Sequence, residues 1–273
     1  MEIKLQDVTY NKFDYCVVCD ITHTFKSSYT SIIGPSGSGK TTLISLLNGL
    51  LLPSSGTINL DNFSINNKTK LKEVSSLKTK VCIVHQFSDL QIFNETVKKE
   101  LLYGVNNFSL DLDSANKHIK KYFKIFDLDL SILDRSPNRL SGGQRKKVAI
   151  ISMLLLQPEV LILDEPTIGL DPQSQQQIMD AIKSLEKEMK IILICHDMDI
   201  IYKYTKEIME LSYGKLYKSL SKEKYFESKF IDQKYLLLPT KLRFGSIYNN
   251  SLEVYNRLIN NEDLIDIIKE KND

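Results

Sequence analysis

Tyr29-Thr30-Ser31-Ile32-Ile33-Gly34-Pro35-Ser36-Gly37-Ser38-Gly39-Lys40-Thr41-Thr42 decides the fold of this chain. A short apolar run ends in a glycine-rich turn, and the residues from about Gly39 to Leu50 read as a helix that stops near Pro53. Gly34 to Thr41 fits G-x-x-x-x-G-K-[ST] between a strand and a helix, the setting that a phosphate-binding loop requires. Each part has a physical job. The glycines let the backbone aim several N–H groups inward, and the helix start adds a positive dipole end. Lys40 would place an ammonium on the β- and γ-phosphates, and the Thr41 hydroxyl can ligate Mg²⁺. A chance match arises in roughly 1% of chains this long, and the flanking strand and helix lower that further. Gly34, Pro35, Ser36, Gly37, Ser38, Gly39, Lys40, Thr41 and Thr42 are therefore expected to hold a nucleoside triphosphate.

Working outward, short apolar strands alternate with helices. Val81 to Val84, Val160 to Leu163 and Ile191 to Cys195 read as strands, and about Gly143 to Gln157 and Gln173 to Met189 as helices. That alternation implies an α/β fold with a mostly parallel sheet covered on both faces. Before the loop, Glu2 to Val8, Tyr15 to Asp20 and Ile21 to Phe25 alternate like half-buried strands of an antiparallel N-terminal β subdomain. Polar residues from Asn59 to Lys70 read as surface hairpin and loop. The proline-free, helix-rich stretch between Glu95 and Asp134 reads as a helical insertion, bounded at about 88–137. One domain over 1–230 is expected, followed over 231–273 by a small helical extension for which stabilising a dimer is one role.

Val160-Leu-Ile-Leu-Asp164-Glu165 is an apolar strand ending in two carboxylates. Such a pair in isolation is usually a solvated turn. Here Pro166, Gly169, Asp171 and Pro172 follow, and a phosphate loop lies upstream, so a working pair is the better reading. Asp164 would hold Mg²⁺ through water, and Glu165 would orient and deprotonate the attacking water. Leu140-Ser141-Gly142-Gly143-Gln144 precedes a helix whose first turn carries Arg145, Lys146 and Lys147, although a helix start favours anions. Ser141 could be an ordinary N-cap. An anion docked on Ser141 and the Gly142 and Gly143 amides would also account for the cations.

Leu140 to Gln144 resembles the signature motif of ABC ATPases, which separates them from other phosphate-loop families. The remaining family pattern follows in order: Gln86 is similar to the Q-loop glutamine, Ile168-Gly-Leu-Asp171 to the D-loop, and His196 to the switch histidine. The resemblance covers about residues 1 to 230. It implies that Gln86, Glu165 and His196 are catalytic, that Thr41, Gln86 and Asp164 hold Mg²⁺, and that Ser141, Gly142, Gly143, Gln144 and Asp171 contribute to nucleotide binding. It also implies that two subunits sandwich two ATP molecules, so a second ATPase, homologue or copy, is required. Tyr10, Phe13 and Tyr15 compete as the aromatic that stacks on adenine, and Phe13 is chosen.

Gln86-Phe-Ser-Asp-Leu-Gln-Ile-Phe-Asn-Glu-Thr-Val97 further resembles the ATPases of energy-coupling-factor (ECF) importers of vitamins and metal ions, in particular the second of their two ATPases. Ser88 replaces the proline usual there. The resemblance implies a transmembrane coupling subunit and a substrate-binding membrane subunit as partners. It also implies a peripheral position at the cytoplasmic face of the cell membrane. Phe87, Leu90, Ile92 and Phe93 are then candidates for a groove that receives a membrane partner's helix, or else for ordinary core. An ATPase of another ABC importer class is the alternative. A soluble ABC protein would carry two ATPase domains or large insertions, and none is visible.

Composition agrees with these expectations. A chain of 273 residues with 42% hydrophobic residues can bury a large core. The 36 basic and 34 acidic residues leave a net charge of +2, scattered rather than clustered, so no nucleic-acid partner is expected. No stretch approaches the roughly 18 apolar residues of a spanning helix, and the N-terminus shows no secretory signal. Cys16 and Cys19 have redox or zinc-ligand spacing. A strand would point residues three apart to opposite faces, so buried thiols are expected.

Overall fold

The computed structural model describes residues 1–70, 72–231, 238–240 and 242–243. Strands β1 (Ile3–Lys12), β2 (Tyr15–Phe25) and β3 (Tyr29–Ile33) lead into α1 (Lys40–Leu47). There follow β4 (Ser55–Leu60), β5 (Phe63–Ile65), a short α2 (Leu77–Lys80), β6 (Val81–Val84), α3 (Val97–Asn107) and α4 (Leu112–Ile125). The second half runs α5 (Gly142–Leu154), β7 (Val160–Asp164), α6 (Pro172–Ser184), β8 (Lys190–Ile194), α7 (Met198–Tyr204), β9 (Glu207–Ser212), β10 (Lys215–Ser221) and α8 (Lys222–Ile231).

Two sheets form. The order β10-β9-β3-β8-β7-β6 is parallel except for β10, which pairs antiparallel at the edge. The order β2-β1-β4-β5 is antiparallel throughout, the expected N-terminal β subdomain. Strands β3, β6 and β7 are buried along their whole length, which is why they are continuous apolar runs rather than alternating ones. Successive side chains still divide between faces. Leu161 and Leu163 pack with α3 to α6, whereas Val160 and Ile162 pack with α1 and the antiparallel sheet.

Capping side chains set where helices begin. Thr96 accepts the Lys99 N–H at 3.2 Å, and Asp111 accepts those of Asp113 and Ser114. Several boundaries differ from the sequence expectation. Tyr15 to Phe25 is one strand, because β1 pairs with it over nearly its whole length. Helix α1 ends at Leu47, where the N–H groups of Leu50 and Leu51 both turn back to the Ser45 carbonyl. The α7–β9–β10–α8 run was not anticipated.

Cys16 and Cys19 form a disulfide rather than a pair of buried thiols, and Cys16 is exposed. The alternation rule failed at a β-bulge. Tyr10 pairs with Val18 and Asn11 with Cys16, so Val17 is an extra residue in β2 and both cysteines fall on one side. Cys82 and Cys195 are buried free thiols. Leu238 and Leu242 are buried in the main core, and Thr240 donates its N–H and hydroxyl to the Asp199 carboxylate at 2.7 and 2.6 Å. The helical stretches expected further on lie outside the described residues.

Candidate active site

Strands β3, β6, β7 and β8 run parallel, so the segments after them meet at one edge of the sheet, where open α/β sheets bind ligands. A cavity of about 380 Å³ lies there. Loop residues 36–42, Gln86, Asp164, Glu165 and His196 line it together with Val17, Ile168 and Ile194. Residues more than 150 positions apart thus share one pocket.

The loop is built by backbone demands. Gly34 has φ +147°, and a Cβ there would lie 2.2 Å from the Leu211 carbonyl oxygen. Gly39 has φ +96°, and a Cβ would lie 2.5 Å from the Val17 carbonyl oxygen. No other residue type fits either place. Lys40, 8% exposed, donates to the carbonyls of Gly34 (2.8 Å) and Pro35 (2.9 Å), which keeps its ammonium inside the loop's concavity. Burial lowers its pKa, while Glu165 and Asp164 work against that shift.

The carboxylates are held at the end of a wholly buried strand. Asp164 Oδ2 lies 3.5 Å from Thr41 Oγ1, and burial raises the Asp164 pKa. Glu165 sits at φ +49°, a conformation unusual for a residue with a side chain, fixed by its N–H donating to Ile194 at 2.9 Å. Burial, and then the neighbouring Asp164 charge, push its carboxyl up to about 7. Glu165 Oε1 is buried without a hydrogen bond, and His196 Nε2 lies 3.5 Å away. Burial and the Lys40 charge lower the His196 pKa. A carboxylate poised near neutrality, with one oxygen free of hydrogen bonds and facing a phosphate loop, can accept a proton from a water in the cavity.

Phe13, Ser141, Gly142, Gly143, Gln144 and Asp171 do not line this cavity. Phe13 is 90% exposed at the β1–β2 turn, with Tyr15 nearby at 79%. Ser141 caps α5 in a capping box: its hydroxyl accepts the Gln144 N–H at 3.2 Å, and Gln144 Oε1 accepts the Ser141 N–H at 3.1 Å. Two of the three crowded cations have partners within the chain, while Arg145 Nε is buried with none among the described residues. Lys146 and Lys147 turn inward, donating to the Gln86 carbonyl and to Gln177 Oε1. Asp171 caps α6, accepting from the Ser174 N–H and hydroxyl at 2.9 and 2.6 Å. Val17 reached the cavity without any sequence signal, since only the bulge in β2 puts it there.

The segment after Gln86 is a turn of 3₁₀ helix (Ser88–Gln91) and a loop leading into α3. Phe87 and Phe93 are 55% and 65% exposed, whereas Ile92 packs partly on the core; the side chain of Leu90 lies outside the described residues. Glu100, buried, fixes the loop by accepting from the N–H groups of Phe93 and Asn94 and from Asn94 Nδ2. Phe93 meets Tyr103 edge-on at 4.9 Å beside a cavity of about 260 Å³.

The family model described as ABC transporter matches residues 21–168, more than half of the chain. This chain belongs to the ABC transporter ATP-binding family, and it is an ATP-hydrolysing transporter subunit. The energy-coupling factor transporter ATP-binding protein EcfA2 of Staphylococcus saprophyticus is 37% identical over 281 residues, covering 99% of this chain and 98% of its own. CbiO1 of Clostridium perfringens, part of the ABC transporter complex CbiONQ, superposes with a TM-score of 0.76 at 32% identity, covering 90% of this chain and 98% of its own. A dimeric bacterial ABC transporter cassette superposes with a TM-score of 0.71 at 25% identity, over 80% and 98%. Among the described residues no helix is long and apolar enough to cross a membrane.

Proposed function

We propose that this chain is an ATPase of an ECF-type importer of vitamins or other micronutrients, bound at the cytoplasmic face of the membrane beside a second ATPase, a transmembrane coupling subunit and a substrate-binding membrane subunit. The 37% identity to EcfA2 from end to end carries this reading. Residues 1–230 form the ATPase unit, with the helical insertion at about 88–137.

The chemistry follows from the cavity. Residues 34–42 cradle the triphosphate through backbone N–H groups, and Lys40 leaves the Gly34 and Pro35 carbonyls for the β- and γ-phosphates. Thr41, Asp164 and Gln86 offer a hydroxyl, a carboxylate and an amide oxygen on one side of the cavity, the hard oxygen donors that suit Mg²⁺. Bound there, Mg²⁺ would neutralise charge on the phosphates. Glu165 accepts the proton of the attacking water, and His196 donates a hydrogen bond at the γ-phosphate end. Phe13 stacks on the adenine. Ser141, Gly142, Gly143, Gln144 and Asp171 serve the opposing subunit's nucleotide, which is consistent with their distance from this chain's own cavity.

A site completed from two subunits makes activity depend on assembly. The isolated chain is expected to be mostly monomeric and a weak ATPase, and co-expression with a second ATPase and a membrane subunit should raise turnover at least about tenfold. Steady-state ATPase assays across a concentration series check this. A single chain with full, concentration-independent turnover overturns the two-subunit site.

The exposed Phe93 ring beside its cavity supports docking of an apolar helix from the membrane subunit. Phe93→Asp should abolish co-purification with that subunit, while the chain still melts cooperatively and binds ATP as before. A variant that assembles normally would show that the segment takes no part in docking.

A further inference from the structure

Lys146 is the fifth residue of α5, close to the positive end of the helix dipole, and its side chain is 2% exposed. A cation is costly in both respects. A methionine would fill the same space without that cost, although Asp89 would lose its ion partner and the Gln86 carbonyl its donor. The ammonium therefore has to be there for what it holds. It donates to the main-chain carbonyl of Gln86, and Asp89 Oδ1 lies 4.0 Å away. Gln86 lines the nucleotide cavity, and Asp89 lies in the turn that leads to the exposed Phe93. Three segments thus meet at one buried nitrogen: the helix capped by Ser141, the backbone of Gln86, and the loop proposed to dock the membrane partner.

We propose that Lys146 is a positioning residue for hydrolysis: by fixing the Gln86 carbonyl to α5, it makes the Gln86 side chain and the helix carrying the Ser141 segment move as one body. This rests on the reading of Gln86 as a working residue of the cavity. Without the ammonium, the Gln86 peptide is free to rotate, and its amide no longer holds its place beside Asp164 and Glu165. Nucleotide affinity should depend little on this link, because the loop of residues 36–42, with Lys40, carries most of the hold on the phosphates.

The test uses the chain assembled with its ATPase and membrane partners, comparing Lys146→Met, Lys146→Arg, Gln86→Ala and the Lys146→Met/Gln86→Ala double variant. Lys146→Met should lower kcat about tenfold or more with KM for ATP little changed, while the assembled complex still melts cooperatively above the assay temperature. Lys146→Arg, which keeps a cationic donor, should recover most of the turnover. In the Gln86→Ala background, Lys146→Met should cost less than a further twofold, because both changes act through one residue. If Lys146→Met does not melt cooperatively, Lys146→Gln takes its place in every arm. Turnover retained within twofold, a loss that Lys146→Arg does not recover, or losses that multiply in the double variant would each overturn the proposal. A Gln86→Ala variant with normal turnover would instead overturn the reading of Gln86 on which the proposal depends.

Discussion

Glu165→Gln should leave ATP binding intact and lower turnover by a factor on the order of 10² to 10⁴, the range that a positioned general base contributes. The amide preserves the shape of the side chain and removes its ability to take a proton. The wild type carries its own check, because its carboxyl is pushed up to about 7 by burial and by Asp164. Only the ionised form is a base, so turnover should rise as pH increases through about 7 and then level off. In the Gln variant that rise should vanish.

The same residue makes a prediction about stability, opposite in direction. A carboxyl whose pKa is raised by folding favours the folded state below its ordinary value of 4.5. That contribution is lost as pH rises through about 7. At pH 8 the wild type thus bears the cost of a desolvated carboxylate, and Glu165→Gln should be the more stable protein by roughly 1–2 kcal/mol after solvent screening. Near pH 4 the two should melt alike. Melting curves at both pH values, alongside ATPase and equilibrium binding measurements, distinguish a stabilised, inactive variant from a damaged one. A Gln variant with normal turnover would remove Glu165 from the mechanism.

Lys40→Ala should fail at the earlier step and weaken ATP binding by roughly 100-fold, the size of one or two lost charge-assisted hydrogen bonds. The fold should survive, because the two carbonyls that Lys40 engages, Gly34 and Pro35, belong to a loop open to water at the cavity. Equilibrium titration with a fluorescent ATP analogue measures the loss. Affinity within threefold of the wild type would mean that the backbone amides alone bind the phosphates. Lys40→Ala would thus fail to load and Glu165→Gln would load and stall, so the pair separates binding from chemistry.

Much of the fold and site was legible because the deciding signals are local. Gly34 and Gly39 announce themselves, since a Cβ at either place would lie 2.2 or 2.5 Å from a neighbouring carbonyl oxygen. The runs Tyr29 to Ile33 and Val160 to Asp164 are apolar throughout because they are sheathed on both faces, and that pattern is visible without coordinates. Carboxylates at the end of such a run, followed by Pro166, Gly169, Asp171 and Pro172 and preceded by a phosphate loop, read as a working pair rather than a solvated turn. The β9–β10 hairpin was harder to see, because half-buried edge strands such as Lys215–Ser221 mix Lys, Ser and Tyr with their apolar residues.

Sequence by itself determined the phosphate loop, the strands Tyr29 to Ile33, Val81 to Val84, Val160 to Leu163 and Ile191 to Cys195, and the polar residues of the cavity, since each depends on a spacing of a few residues along the chain. Tertiary structure alone decided three things. The bulge at Val17 turned two cysteines expected on opposite faces into a disulfide and carried Val17 to the cavity. The burial around Glu165 raised its carboxyl to the pH at which a base is useful. The inward turn of Lys146 joined α5 to Gln86 across 60 positions of chain. Each depends on which distant atoms exclude water from a group, and the distance along a chain does not specify that until the chain has folded.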